Sequence, residues 1–296
     1  MNIKVAIQTI RPPFLILTPI CVFLGLSTSL VSQPSVNFTM FFIILIGATF
    51  AHISVNTLNE YFDFKSGLDL KTEKTPFSGG SGGLPSCPSM AKTILMIGLV
   101  SLLITIGVGF YFVYKGAYLI LPIGFIGVIL VATYTQWINR SPLICLVAPG
   151  IGFGVLMVVG SHVVLAGEHA LSPWLISIAP FLLINNLLLL NQYPDMKADA
   201  SVGRNTLPIA YGIKKSNLVY AAFMLLAYLS IIALMFKGYL PALSWIALMP
   251  ILLSLFSLKG LVKWGANIGE HPHYMATNVA AAIITPLLLG LSIING

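Results

Sequence analysis

Nine apolar runs, each about as long as a helix must be to cross the hydrocarbon core of a bilayer, occupy residues 13–31, 38–57, 93–113, 117–135, 143–165, 173–190, 217–236, 241–258 and 275–294. This spacing constrains the fold more than any other feature. It predicts an all-α polytopic membrane protein in which nine transmembrane helices enclose a central cavity. The chain is 57% hydrophobic, well above the share in a soluble domain. The first run follows Lys4 and Arg11 as a signal peptide would, but Pro12, Pro13 and Pro19 and the lack of a small-residue cleavage site favour a retained helix. A single membrane domain, residues 1–296, is expected.

The basic residues test this helix count, because Lys and Arg concentrate in cytoplasmic segments near helix ends. With the N-terminus inside, 13 of the 15 basic residues fall on the inner side and only Lys115 and Lys237 outside. One missed or extra span would exchange the sides of every later loop. The expectation is an integral cytoplasmic-membrane protein with an inner N-terminus and an outer C-terminus. The net charge of +7 is then topology and attraction to anionic lipid. No basic run interleaved with aromatics argues for nucleic acid. Cys21, Cys87 and Cys145 show no disulfide-like spacing and read as structural.

Against this background the eight acids stand out. Six lie in two inner segments, one after the second run and one after the sixth. The segments echo each other: NEYFDFK at 59–65 and NQYPDMK at 191–197 share Asn, Tyr, Asp and Lys in register, with Glu60 matched by Gln192. The echo recurs after four spans with orientation preserved, which predicts two parallel four-helix repeats plus one helix. If the second helix continues through residue 63, Asn56, Glu60 and Asp63 share a face, with Asn59 beside Asp63. Asn191, Asp195 and Asp199 do the same in the other segment. A single acid at a helix end is ordinary. Two matching oxygen-rich patches at membrane depth argue for function.

Hard divalent cations take oxygen ligands, and Mg²⁺ binds through one or two carboxylates while keeping water and phosphate oxygens. Two such patches predict Mg²⁺ ions clamping a diphosphate. Lys65, Lys71, Lys74, Arg140, Lys197 and Arg204 are the nearby cations that would complete the site, although each also serves topology.

At this point the residues carry a resemblance. N-x-x-N-E-Y-F-D-F-K-S-G-L-D at 56–69, N-Q-Y-P-D-M-K-A-D at 191–199 and G-R-N-T-L-P at 203–208 resemble the UbiA family of membrane prenyltransferases. In that family an N-D-x-x-D motif and a D-x-x-x-D motif bind diphosphate through Mg²⁺ at the cytoplasmic end of a nine-helix bundle. The resemblance implies metal or diphosphate roles for Asn59, Glu60, Asp63, Asp69, Asp195 and Asp199, and weaker ones for Asn56, Asn191, Lys65, Lys197 and Arg204. Glu60 departs from the family pattern, where Asp is usual. The implied reaction is ionisation of a prenyl diphosphate and alkylation of an aromatic acceptor. The motif forms look closer to the 1,4-dihydroxy-2-naphthoate branch of menaquinone synthesis than to the 4-hydroxybenzoate branch. Tyr61, Phe64, Tyr134, Trp137 and Tyr193 lie near the inner ends, where cation–π stabilisation of a prenyl cation is one role and a belt anchor another.

The segment KTPFSGGSGGLP, residues 74–85, reads either as a lid over the diphosphate or as a flexible linker. It lacks the G-K-[ST] ending of a phosphate-binding Walker loop, and no histidine pair has metal-ligand spacing. A secondary transporter also has repeats and intramembrane polar residues, but its repeats are often inverted and its charges lie within spans. A CDP-alcohol phosphotransferase would carry D-G-x-x-A-R, which is absent.

Overall fold

The computed structural model describes residues 2–33 and 35–296 and is all-helical over them. The chain opens with a short amphipathic helix, α1 (Ile3–Ile10), capped by the Asn2 side chain. It buries Val5, Ala6 and Thr9, and leaves Ile3 and Ile7 exposed. Its buried face meets Leu84, Met90 and Ile94. The backbone then turns at Arg11, whose φ of 57° is left-handed, and Pro12 and Pro13 restart the chain towards α2 (Leu17–Ser32).

The spanning helices follow as α3 (Phe38–Ser66), α4 (Ala91–Tyr114), α5 (Ile120–Thr133), α6 (Pro142–Ala166), α7 (Leu171–Ser201), α8 (Leu207–Phe236), α9 (Ala242–Glu270) and α10 (Pro272–Asn295). Among the described residues eight helices are long and apolar enough to cross a membrane, and α5 is a shorter apolar ninth. At 14 residues, α5 rises only about 21 Å. Turns on either side, at 117–119 and 134–137, complete its path.

Two features of the long helices position the site. First, α3 and α7 overrun their apolar stretches. Asn37 caps the start of α3 by accepting from the Thr39 and Met40 amides, and the helix holds until Gly67 takes a left-handed φ of 76°. The first acidic motif therefore sits on a helix, and α7 carries the second motif to Ser201 in the same way. Second, α6 departs from α-geometry. Residues Gly150–Met157 form a π-helical stretch after Pro149, and the Asn185 Oδ1 of α7 accepts from the Gly150 amide at 2.6 Å. The glycines let α6 and α7 approach closely: a Cβ added at Gly154 would lie 2.5 Å from the Phe181 nitrogen.

Extensive packing joins α3 to α4, α7 to α8, and α10 to α2, while α2 also meets the second half of α6. The largest apolar core gathers Leu24, Ile184, Leu187, Ala227, Ile231 and Leu289 from α2, α7, α8 and α10. The opposite side of α3, α6 and α7 is not packed shut, and a cavity opens there.

Candidate functional site

The cavity has a volume of about 400 Å³. Ile44, Val108, Phe112, Ile120, Leu156 and Val164 line its deep part, and Asn56, Asn59, Asp63, Asp69, Asn191, Asp195, Asp199 and Arg204 line its mouth. Along α3 the lining runs from Ile44 to Asp63, about 28 Å of helix rise. A long apolar tail with a polar head matches this division.

At the mouth, α3 and α7 bring their acids together because both helices end on the same side of the bundle. Arg204, from the turn after α7, bridges them: its guanidinium pairs with Asp63 and with Asp199, the latter at 3.0 Å. A second cation, Arg11, pairs with Glu60 through Nε at 2.8 Å and through Nη2. Asn59 donates to Thr135 Oγ1 at 3.2 Å, and Asn56 donates to the Ile10 carbonyl at 2.9 Å. The glycine-rich segment closes over the acids, with the Gly79 amide donating to Asp195 Oδ2 at 3.0 Å.

Five carboxylates thus face two guanidinium groups, and several oxygens remain unmatched. Asp69 Oδ2, Asn191 Oδ1 and Gln192 Oε1 are buried without a hydrogen-bond partner, a costly arrangement unless a ligand uses them. Burial, reinforced by Glu60 and Asp63, pushes the Asp69 carboxyl up to about 7, against the pull of Arg11 and Arg204. For Arg204, burial opposes its charge, but Asp63 and Asp199 outweigh it and hold the guanidinium above its ordinary value. Among the described residues no three His, Cys, Asp or Glu side chains form a ready cage for a metal ion. This donor set nonetheless fits Mg²⁺, which needs only one or two carboxylates if water and phosphate oxygens fill the remaining positions.

Of the residues singled out in the sequence, the structure gathers Asn56, Asn59, Asp63, Asp69, Asn191, Asp195, Asp199 and Arg204 around one cavity. It does not bring Lys65, Arg140 or Lys197 there: all three are exposed and none lines the cavity. Glu60 is fully buried but is turned to Arg11 and Ser81 and does not line the cavity either. Among the five aromatics only Tyr134 lines it, while Tyr193 is buried and donates to Asn217. The sequence reading missed Arg11, Asn139 and Gln192 as lining residues. Gln192 had a usable signal, since it is the counterpart of Glu60 in the echo.

The model of the UbiA prenyltransferase family matches residues 17–267. The chain belongs to this family. Among curated proteins, a UbiA relative is the 1,4-dihydroxy-2-naphthoate octaprenyltransferase of Bacillus subtilis (strain 168), 29% identical over 235 residues, which cover 77% of this chain and 73% of the relative. Solved structures share the UbiA fold. The apo structure of a homolog from Aeropyrum pernix K1 has a TM-score of 0.73 at 18% identity, covering 96% of this chain and 98% of that one. A homolog from Archaeoglobus fulgidus bound to DMAPP and Mg²⁺ has a TM-score of 0.69 at 14% identity, covering 98% and 99%.

Proposed function

We propose that this prenyltransferase moves a polyprenyl group from its diphosphate to 1,4-dihydroxy-2-naphthoate or a close aromatic relative, with Mg²⁺, in a menaquinone-like quinone pathway. The observation that carries the reading is the joining of two acidic motifs at the mouth of one apolar cavity. The B. subtilis relative supplies the acceptor class. The A. fulgidus homolog, bound to DMAPP and Mg²⁺, supplies the ligand pair.

In this reading Asp63, Asp69, Asp195 and Asp199, with Asn59 and Asn191, hold the metal and diphosphate, and Arg204 and Arg11 face the departing diphosphate oxygens. Mg²⁺, when bound, neutralises the diphosphate so that it leaves more easily. Ile44, Phe112 and Leu156 hold the tail and keep water from the electrophilic carbon, so that the acceptor ring captures it. The acceptor then loses a proton or its carboxyl group to regain aromaticity. The inward bias of the basic residues supports a cytoplasmic N-terminus and site and an outer C-terminus, and the family match over residues 17–267 supports reading 1–296 as one catalytic domain.

The test is transfer by the purified protein with Mg²⁺, a panel of prenyl diphosphates, and the naphthoate alongside 4-hydroxybenzoate. Prenylated naphthoate is expected. No transfer to any acceptor, together with no Mg²⁺-dependent pyrophosphate binding, would refute the proposal.

A further inference from the structure

We propose that Glu60 is a positioning residue which fastens a glycine strap, Ser78–Ser81, across both acidic motifs and does not ligate metal. The inference rests on the reading of the site as a Mg²⁺ and diphosphate clamp.

Both carboxylate oxygens of Glu60 are already committed. Oε1 accepts from Arg11 and from the Ser81 amide at 2.8 Å, and Oε2 accepts from the Ser81 hydroxyl at 2.6 Å. Glu60 has no exposed surface and lies behind the cavity wall. Turning it to a metal would break these bonds and leave the Arg11 guanidinium without its carboxylate, which is costly in a buried setting. The echo points the same way: at the matching register of the second motif stands Gln192, so that register does not demand a negative charge.

The bonds of Glu60 fix one end of a segment that touches the remaining acids. Two residues before Ser81, Gly79 donates to Asp195. Between them, Gly80 packs on Asp69 so closely that a Cβ would sit 2.8 Å from Oδ1. Gly79, Gly80 and Gly82 have φ of 78°, 74° and 71°, a region where side chains are strained and glycine is not. The Arg11 backbone shows comparable strain at φ 57° and is held by its own bonds to Glu60. The Gly79 amide holds Oδ2 of Asp195, and a metal that takes this oxygen displaces the amide. Because Ser81 stays tied to Glu60, the strap swings about its glycines and remains over the site.

A ligand and an anchor respond oppositely to conservative replacement. Glu60→Gln keeps the reach to Arg11 and Ser81 but loses the charge, whereas Glu60→Asp keeps the charge and loses the reach. The full-length purified protein is assayed in two ways: tryptic cleavage after Lys71 and Lys74 without ligand, and the Mg²⁺ concentration that half-saturates pyrophosphate binding. For an anchor, Glu60→Gln keeps the Mg²⁺ requirement within about twofold of wild type and, although Arg11 loses its carboxylate, opens less than Glu60→Asp and Ser81→Ala, which are cleaved about fivefold faster or more through local opening. In those two the Mg²⁺ requirement stays within about twofold, short of the roughly tenfold or larger loss typical of a perturbed metal site. Two results overturn the proposal: cleavage at the wild-type rate in Glu60→Asp and Ser81→Ala, or a Mg²⁺ requirement raised about tenfold by Glu60→Gln with Glu60→Asp unaffected. If wild type itself binds no pyrophosphate with Mg²⁺, the clamp reading fails, and the cleavage series still reports on the strap.

Discussion

Arg204 pairs with Asp63, 141 positions earlier in the chain, while its other guanidinium nitrogen holds Asp199 at 3.0 Å. One cation thereby stands between the two acidic motifs and joins α3 to the end of α7. It offsets part of the repulsion among acids that would otherwise sit together in a poorly hydrated mouth. It also faces the position where a diphosphate would gather charge. In the proposed reading the same contact joins the helices without ligand and faces the departing diphosphate with it.

Replacing Arg204 by Lys keeps the charge but removes the planar fork that spans two carboxylates. The expected outcome is a kcat/KM lower by about ten- to a hundredfold, from loss of charge-assisted bonds worth roughly 1.5–3 kcal/mol. Arg204→Met should go further and lower the Tm, because Asp63 and Asp199 lose their buried partner. Steady-state kinetics and thermal unfolding of both variants check this.

Asp63→Asn and Asp195→Asn preserve shape at the two motifs and remove from each one carboxylate proposed to hold the metal. Each is expected to cut kcat by about a hundredfold or more, the scale of losing one group that stabilises transition-state charge; Asp195→Asn should keep a near wild-type Tm, while Asp63→Asn lowers it because Arg204 loses one of its two buried carboxylates. Activity retained in both variants would sink the two-motif clamp.

With Asp69 among the proposed metal ligands, its carboxyl, pushed up to about 7 chiefly by burial, would make metal binding depend on pH. Mg²⁺ needs the ionised form, so its affinity should rise from pH 6 to 8 and level off above that. Stability of the metal-free protein moves the other way. An unfolded Asp loses its proton near 3.9, so between about 4 and 7 the folded state binds more protons and stability falls with rising pH. Above 7 both states are ionised and this slope ends. Mg²⁺ titrations and metal-free unfolding across this range test both signs, and Asp69→Asn should flatten both.

Much of the site was legible in the sequence because the acids follow a helical register. That register holds in the structure because α3 and α7 continue past their apolar runs, ending at Gly67 in one case and Ser201 in the other. What was not legible are the partners drawn from elsewhere in the chain. Glu60 has a carboxylate of the kind that can ligate metal, in an acidic motif proposed to hold one, and only the distant Arg11 and Ser81 turn it aside. Lys65 and Lys197 share the motifs but point away, since adjacent positions on a helix face different directions. Nor did the apolar pattern announce the π-helical stretch of α6, at whose start a side chain from another helix, Asn185, takes the Gly150 amide.

The cavity wall yields a prediction about tail length. Gly124 of α5 lines the cavity, and a Cβ added there would meet no atom within 4 Å. A side chain at this position therefore has room, and the room it takes is cavity volume. Gly124→Phe should be accommodated without the overpacking cost of a filled core. It should occupy space that the far end of a long prenyl chain needs. The expected outcome is turnover of dimethylallyl and geranyl diphosphates close to wild type, with octaprenyl diphosphate poorly used through a raised KM. Competition between short and long donors, read by product mass, measures the shift. Unchanged use of the octaprenyl donor would mean that the tail leaves the cavity before it reaches α5.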